Sequence, residues 1–229
     1  MREIDVPETS DRTASTVGGG TSPRRRVAIL LFDEVEVLDF AGPFEVFGVA
    51  RSAMGEPAFE VVTVAIESGP VIARNGLTVV PTLSSDDLQK ADILVIPGGF
   101  GTRREMSRPE MMSFIRASTA ASELTLSVCT GALLLGAAGL PKGMAATTHW
   151  AAMNELRALD TGAEILPEAR VVDNGRLVVS AGVSAGIDAA LHIVARLLGQ
   201  AQAEATARAM EYDWSSADHE RHVVLRPRP

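Results

Sequence analysis

The sequence predicts an α/β protein: a doubly wound, mostly parallel sheet with helices on both faces. Two observations lead there. Short aliphatic runs of strand length alternate along the chain with stretches at helical spacing, as in Val27–Phe32, Ile93–Ile96 and Gly186–Leu198. Hydrophobic residues make up 46% of the chain but aromatics only 4%, a core of Ala, Val, Leu and Ile that suits strands buried on both faces.

Taken in order, residues 1–24 are polar, include Gly18-Gly19-Gly20, and are expected to form a disordered leader. Val27–Phe32 is a continuous aliphatic run and reads as a central first strand. Gly42-Pro43 is expected to open a helix reaching about Ala53, because proline suits a first helical turn. Phe59–Ile66 is the second strand, and Val71-Ile72 with Leu77–Val80 forms a hairpin about Asn75-Gly76. Ser84–Leu88 reads as a short capped helix, and Ile93–Ile96 as a buried strand ending at Pro97-Gly98-Gly99. Ser107-Arg108-Pro109-Glu110 has the spacing of a capping box, with Met111, Phe114, Ile115 and Ser118 as the inward stripe to about Ala121.

Leu124–Val128 is β-prone and Ala132–Ala138 helix-prone, which places Cys129 at the seam between them. Met144–Thr147 is expected as a short strand, Ala151–Leu159 as a helix, and Val171-Val172 with Leu177–Val179 as a hairpin about Asn174-Gly175. Helices over Gly186–Leu198 and Gln202–Ala209 close one domain, 25–212, and 213–229 has the composition of a tail.

The net charge of −8 and pI near 5.1 argue against general binding to nucleic acid or anionic membrane surfaces, which need a positive field. A single cysteine excludes an internal disulfide and a cysteine-rich zinc site. The Arg24–Arg26 cluster precedes an apolar run that stops at Asp33-Glu34, too short for the ~7–15 residues of an export-signal core, so a cytoplasmic location is expected.

In open α/β sheets, ligands gather beyond the carboxyl ends of the strands. Three strands deliver chemistry-bearing residues to that edge: the first leads to Asp39, another to Gly98-Gly99, and a third to Cys129-Thr130. Helix N-termini favour a thiolate, so Cys129 is expected to be an activated nucleophile; the alternative is an inert core cysteine. Gly131 permits close backbone approach at the turn. Asp39 also fits a cap before the Gly42-Pro43 helix, and Gly98-Gly99 a plain turn. His149 fits a packed histidine beside Trp150 or a pocket wall, and Asp188 and His192, four apart, a local surface pair. His219 and His222 fall in the tail and receive no role.

Taken together, Leu38-Asp39-Phe40-Ala41-Gly42-Pro43, Ile96-Pro97-Gly98-Gly99, Ser127-Val128-Cys129-Thr130-Gly131-Ala132, Ala146-Thr147-Thr148-His149-Trp150 and Ala185-Gly186-Ile187-Asp188 resemble the ThiJ/PfpI superfamily, relatives of class I glutamine amidotransferases. The match spans about Val27 to Ala209 and implies a flavodoxin-like fold. Protease-like and glyoxalase-like members place His directly after the nucleophilic Cys, where this chain has Thr130. Leu-Asp before Gly-Pro, with Val-Cys-Thr-Gly, is most similar to the isonitrile hydratase branch and to the amidotransferase-like halves of AraC-type regulators.

By that resemblance Cys129 is the nucleophile, Asp39 the acid/base, and Thr130 a catalytic partner in hydrating an isonitrile to a formamide. Backbone N–H groups around Gly98, Gly99, Thr130 and Gly131 would bind the developing oxygen, with His149 at the pocket wall. The resemblance implies a small-molecule substrate and a homodimer, and no metal, cofactor, nucleic acid or membrane. Two other classes remain open: a ligand-sensing domain without turnover, and a redox protein using an oxidisable Cys129.

Overall fold

The computed structural model describes residues 24–139, 143–215, 217 and 222–226. The leader expected over 1–24 therefore lies almost wholly outside the described residues, as does His219. The elements run β1 (Arg25–Leu30), α1 (Val37–Val49), β2 (Phe59–Ala65), β3 (Val71–Ile72), β4 (Thr78–Val79), β5 (Leu83–Ser84), β6 (Ile93–Ile96), α2 (Thr102–Glu105), α3 (Pro109–Ala121), β7 (Leu124–Val128) and α4 (Gly131–Ala138). They continue with β8 (Ala145–Ala146), α5 (Met153–Ala158), β9 (Glu164–Ile165), β10 (Val171–Asp173), β11 (Leu177–Ser180), α6 (Ala185–Leu198), α7 (Gln200–Ala209) and β12 (Val223–Leu225).

Eight strands form the main sheet in the order β12-β10-β11-β7-β6-β1-β2-β5. Six of them, from β11 to β5, run parallel, while β10 and β12 at one edge run opposite. The chain winds outward from β1 to β2 and β5, then returns to lay β6 and β7 on the other side of β1. Right-handed crossovers in opposite directions send helices to opposite faces, so α1 packs with α6 and α7, and α4 with α2, α3 and α5. The order reverses between β1 and β6, which opens a crevice beyond their carboxyl ends.

The central strands are aliphatic because both faces are covered. Leu30, Ile93, Ile96 and Leu126 have no exposed surface, and each such side chain contributes about 1.5–3 kcal/mol by leaving water. The Asn75-Gly76 and Asn174-Gly175 hairpins form as their turn chemistry dictates; Asn75 takes the left-handed φ of 61° that asparagine tolerates.

Several elements differ from the sequence expectation. Helix α1 begins at Val37, not at Gly42-Pro43, and carries Pro43 in its interior. A β-carbon on Gly42 would meet Ile187 Cγ1 at 2.8 Å, so close packing on α6 holds the helix through the proline. Residues 84–88 give no helix; Leu83–Ser84 instead pairs with β2, and Ser84 Oγ donates to Asp87 in the turn that follows. The capping box does not form either: α3 has Arg108 at its N-cap with no side-chain cap, and Arg108 reaches the buried Glu105 at 3.2 Å and also binds Glu67.

The region read as a tail contributes β12, which pairs parallel with β10. Three residues paired at a sheet edge carry too little pattern to separate from tail composition. Nor are Asp188 and His192 a surface pair. Asp188 is buried and held by Arg170 at 2.5 Å and by the Tyr212 hydroxyl at 3.1 Å, while His192 binds buried Asp173 at 2.8 Å. These bonds tie α6 to the sheet edge and to the end of α7, a structural role remote from the crevice.

Candidate active site

β7 ends at Val128 and α4 begins at Gly131, so the chain must turn sharply at Cys129, whose φ is 59°. A non-glycine residue there costs about 1–2 kcal/mol, and the surroundings hold it in place. The Cys129 N–H donates to the carbonyls of Ser180 and Ala181, each at 3.2 Å, and its own carbonyl accepts the Thr148 hydroxyl at 2.7 Å. Gly131 lets α4 start hard against β6, since a β-carbon there would lie 2.2 Å from the Ile96 carbonyl oxygen.

Asp39 arrives from the other side of the crevice. Because α1 begins at Val37, Asp39 sits in its first turn rather than in a loop, and it is fully buried. Its two oxygens accept the Gly98 N–H at 3.1 Å and the Val183 N–H at 3.0 Å, and the carboxyl is hydrogen-bonded to the Cys129 thiol. Burial pushes the Asp39 pKa up to about 6, against the pull of the hydrogen bonds from Cys129, Gly98 and Val183.

The sequence expectation of a thiolate is overturned here. Burial and then the Asp39 charge raise the Cys129 thiol to about 12, outweighing the N–H groups of Thr130 and Val183. One proton is therefore shared by sulfur and carboxylate, and at neutral pH it resides on sulfur.

Thr130, Gly98 and Gly99 serve this pair from behind. The Thr130 hydroxyl accepts the Gly99 N–H at 2.9 Å and donates to the Gly99 carbonyl at 3.1 Å, stitching the β6 turn to the elbow. The Gly98 and Gly99 N–H groups are thus spent on Asp39 and Thr130, and neither is free to bind a developing oxyanion. A β-carbon on Gly98 would lie 2.5 Å from the Thr130 nitrogen and 2.9 Å from Asp39 Oδ2. Only a bare backbone fits between the two.

Cys129 opens into a cavity of about 160 Å³, with Glu36, Gly99, Phe100, Arg103, Thr130, His149, Ala151, Ala152 and Val183 on its walls. His149 Nδ1 accepts the Ala151 N–H at 3.3 Å, and its ring lies 5.4 Å from that of exposed Trp150. At the mouth, Arg103 pairs with both oxygens of Glu155 at 2.6 and 2.8 Å, and Phe100 lies under the Arg74 guanidinium at 4.2 Å.

Sequence reasoning missed the turn after β11. Val183 has φ 56°, a genuine outlier for a β-branched residue, and its N–H serves both Asp39 and the sulfur. A β-carbon on neighbouring Gly182 would stand 2.4 Å from His149 Cδ2 and 3.2 Å from Cys129 Sγ. The available signal was topological: Ala181–Ser184 lies between a buried strand and a long helix, at the same sheet edge as the other three loops.

A flavodoxin-like sheet carrying a cysteine at a strained strand-to-helix elbow, backed by a buried carboxyl group, defines a class of α/β proteins with a cysteine site at the topological switch point. Comparison with known proteins makes this specific: the chain belongs to the DJ-1/PfpI family, whose profile matches residues 25–196. It is 37% identical over 187 residues to isonitrile hydratase of Pseudomonas putida, covering 82% of this chain and 78% of that protein. It is 25% identical over 213 residues to the HTH-type transcriptional regulator GbdR of Pseudomonas aeruginosa, covering 90% of this chain but 58% of the regulator. Among solved structures, a ThiJ/PfpI family protein from Pseudomonas syringae superposes with a TM-score of 0.75 at 35% identity, covering 84% of this chain and 77% of that one. Drosophila melanogaster DJ-1beta, at 19% identity with a TM-score of 0.73 over 84% of this chain and 100% of its own, shares the fold.

Among the described residues, no group of three or more His, Cys, Asp or Glu side chains is placed to hold a metal ion, and no helix is long and apolar enough to cross a membrane.

Proposed function

We propose that the protein hydrates a small isonitrile to an N-substituted formamide, with Cys129 as nucleophile and Asp39 as acid/base. The observation that carries this is the buried Cys129–Asp39 pair sharing one proton beneath a small, mostly apolar cavity. The isonitrile carbon must gain both a hydrogen and a nucleophile. In the first step sulfur bonds to that carbon while the thiol proton reaches it through Asp39, giving a thioimidate, R–N=CH–S–Cys129. Neither a free thiolate nor an outside acid is needed, so the high thiol pKa suits the reaction. Water then adds across the C=N bond and the C–S bond breaks, releasing R–NH–CHO and restoring the thiol. Thr130 holds the two loops in register, and the similarity to isonitrile hydratase supports the reading.

We further propose a homodimer that acts on small molecules in the cytoplasm; large apolar side chains stand exposed on α1 and on the β3–β4 hairpin, among them Leu38, Ile72 and Leu77. The likeness to GbdR supports a second reading, a ligand-binding domain without turnover. Incubating the protein with cyclohexyl isocyanide and following the formamide separates the two. Turnover abolished by Cys129→Ala supports hydration, and saturable binding without product supports the sensor.

A further inference from the structure

Asp39 is poorly placed to serve the second half of the reaction. It is fully buried, its oxygens are engaged by Gly98, Val183 and the thiol, and it is absent from the cavity wall. Once sulfur carries the thioimidate, the thiol proton through which Asp39 reached the carbon is spent, and water comes from the cavity, on whose wall Asp39 does not lie.

The polar side chains on that wall are few. The Thr130 hydroxyl is spent on Gly99 in both directions, and Arg103 is held by Glu155 and the Gly99 carbonyl. His149 Nδ1 accepts the Ala151 N–H, so the neutral ring carries its hydrogen on Nε2 and offers a donor, not a base. Glu36 is left. It is half-buried, lies one helical turn before Asp39, and is anchored by its own N–H to the Gly98 carbonyl at 2.9 Å. Among the described residues, nothing forms a hydrogen bond or ion pair with its carboxylate; Glu36 lines the same cavity as Cys129, and its charge is near enough to act on Asp39.

We propose that Glu36 is the general base for thioimidate hydrolysis, acting on water in the cavity while Asp39 governs addition of the thiol. This assignment rests on the hydratase reading above. The O–C bond forms as Glu36 takes a proton from water and passes it to the imine nitrogen, giving R–NH–CH(OH)–S–Cys129. The hydroxyl proton then leaves through Glu36 to sulfur as the C–S bond breaks, and the C=O bond of the formamide forms. Protons balance, and both carboxylates end as they began.

Two carboxylates dividing two half-reactions make a prediction that a single acid/base does not. Glu36→Gln should slow formamide release by about 10²-fold, a typical loss for a general base, while leaving adduct formation intact. Intact-mass spectrometry of the full chain quenched during turnover with cyclohexyl isocyanide should then find Cys129 carrying the isocyanide mass at near-stoichiometric level in Glu36→Gln, with little in wild type. Glu36→Asp should recover part of the rate. A Glu36→Gln variant that turns over at the wild-type rate, or that loses turnover without accumulating the adduct, overturns the assignment. Wild-type protein that yields neither formamide nor adduct refutes the hydratase reading itself, and the role of Glu36 with it.

Discussion

Replacing Asp39 by Asn should move two observables of Cys129 in opposite directions. With its thiol at about 12, roughly one Cys129 in 10⁴ is ionised at pH 8, against about one in ten for a thiol at the ordinary 9.0. Burial persists in the variant, but the carboxylate charge and its hydrogen bond to the thiol are removed. A unit charge about 4 Å away in an effective dielectric of about 20 is worth up to ~4 kcal/mol. Even a third of that raises the thiolate fraction about tenfold. Alkylation of Cys129 by iodoacetamide at pH 8, followed by mass spectrometry, should therefore accelerate about 10- to 100-fold. Hydration of cyclohexyl isocyanide should meanwhile fall by about 10² or more. Asn accepts only one of the two N–H groups now bound, at a cost of about 1 kcal/mol, so circular dichroism must first show the variant folded. A folded variant alkylated no faster than wild type would refute the shared proton, and one that retains activity would refute the role of Asp39.

Three further outcomes follow from the same geometry. Gly98→Ala should cost about 1–3 kcal/mol in urea denaturation and abolish hydration, because its methyl collides with Thr130 and Asp39; Gly48→Ala, with nothing within 4 Å, should instead stabilise α1 by up to ~1 kcal/mol. Thr130→Val should destabilise by about 1–3 kcal/mol by stranding the buried Gly99 N–H and carbonyl, and Thr130→Ser should restore most of it, read by thermal unfolding. The last concerns pH. Asp39 rises from 3.8 to about 6 on folding, so its contribution favours the fold below pH 3.8 and is lost as pH rises through 6, by on the order of 3 kcal/mol. Asp173 runs the other way: burial opposes its charge, but His192, the Gly175 N–H and Arg196 prevail and lower its pKa. Its stabilisation is present above pH 3.8 and lost as pH falls below it. Urea titrations from about pH 2 to 7 on Asp39→Asn should remove the first trend and leave the second, which shows only in the acid limb below pH 3.8.

What was legible in the sequence was what local pattern decides. β6 and β7 fall where their aliphatic runs place them, and both hairpins form about their Asn-Gly pairs. The elbow, too, could be read from a β-prone run meeting a helix-prone one at Cys129-Thr130-Gly131. What could not be read depends on distant partners. Pro43 reads locally as a helix start, yet packing of Gly42 on Ile187, far along the chain, carries the helix back to Val37 and thereby sets Asp39 in its first turn. Val183 is invisible locally because its φ of 56° is imposed by a turn whose N–H must meet Asp39, 144 residues away in sequence. The protonation state of Cys129 was misjudged for the same reason. A helix N-terminus is a local feature, whereas the burial and the facing carboxylate that outweigh it arise only when β1, β7 and α6 assemble.

That protonation state also separates the functions open to this cysteine. Peroxide oxidation acts on the thiolate, and with a pKa of about 12 only ~1 in 10⁵ of the resting sites is ionised at pH 7. Addition of S–H across a single carbon asks for the opposite, a sulfur that still carries its proton next to a base able to move it. In the proposed reaction Asp39 can meet that requirement because its pKa of about 6 leaves it mostly ionised at pH 7. It takes the thiol proton only as sulfur bonds to carbon, and as a much weaker base than the thiolate it gives that proton up readily. In the proposed hydration, the burial that raises the Cys129 thiol and disfavours its oxidation is also what keeps the proton available to the pair. Opening the cavity to water, by Ala152→Gly for example, should raise thiolate reactivity while lowering hydration, a trade that iodoacetamide and formamide assays on one variant read directly.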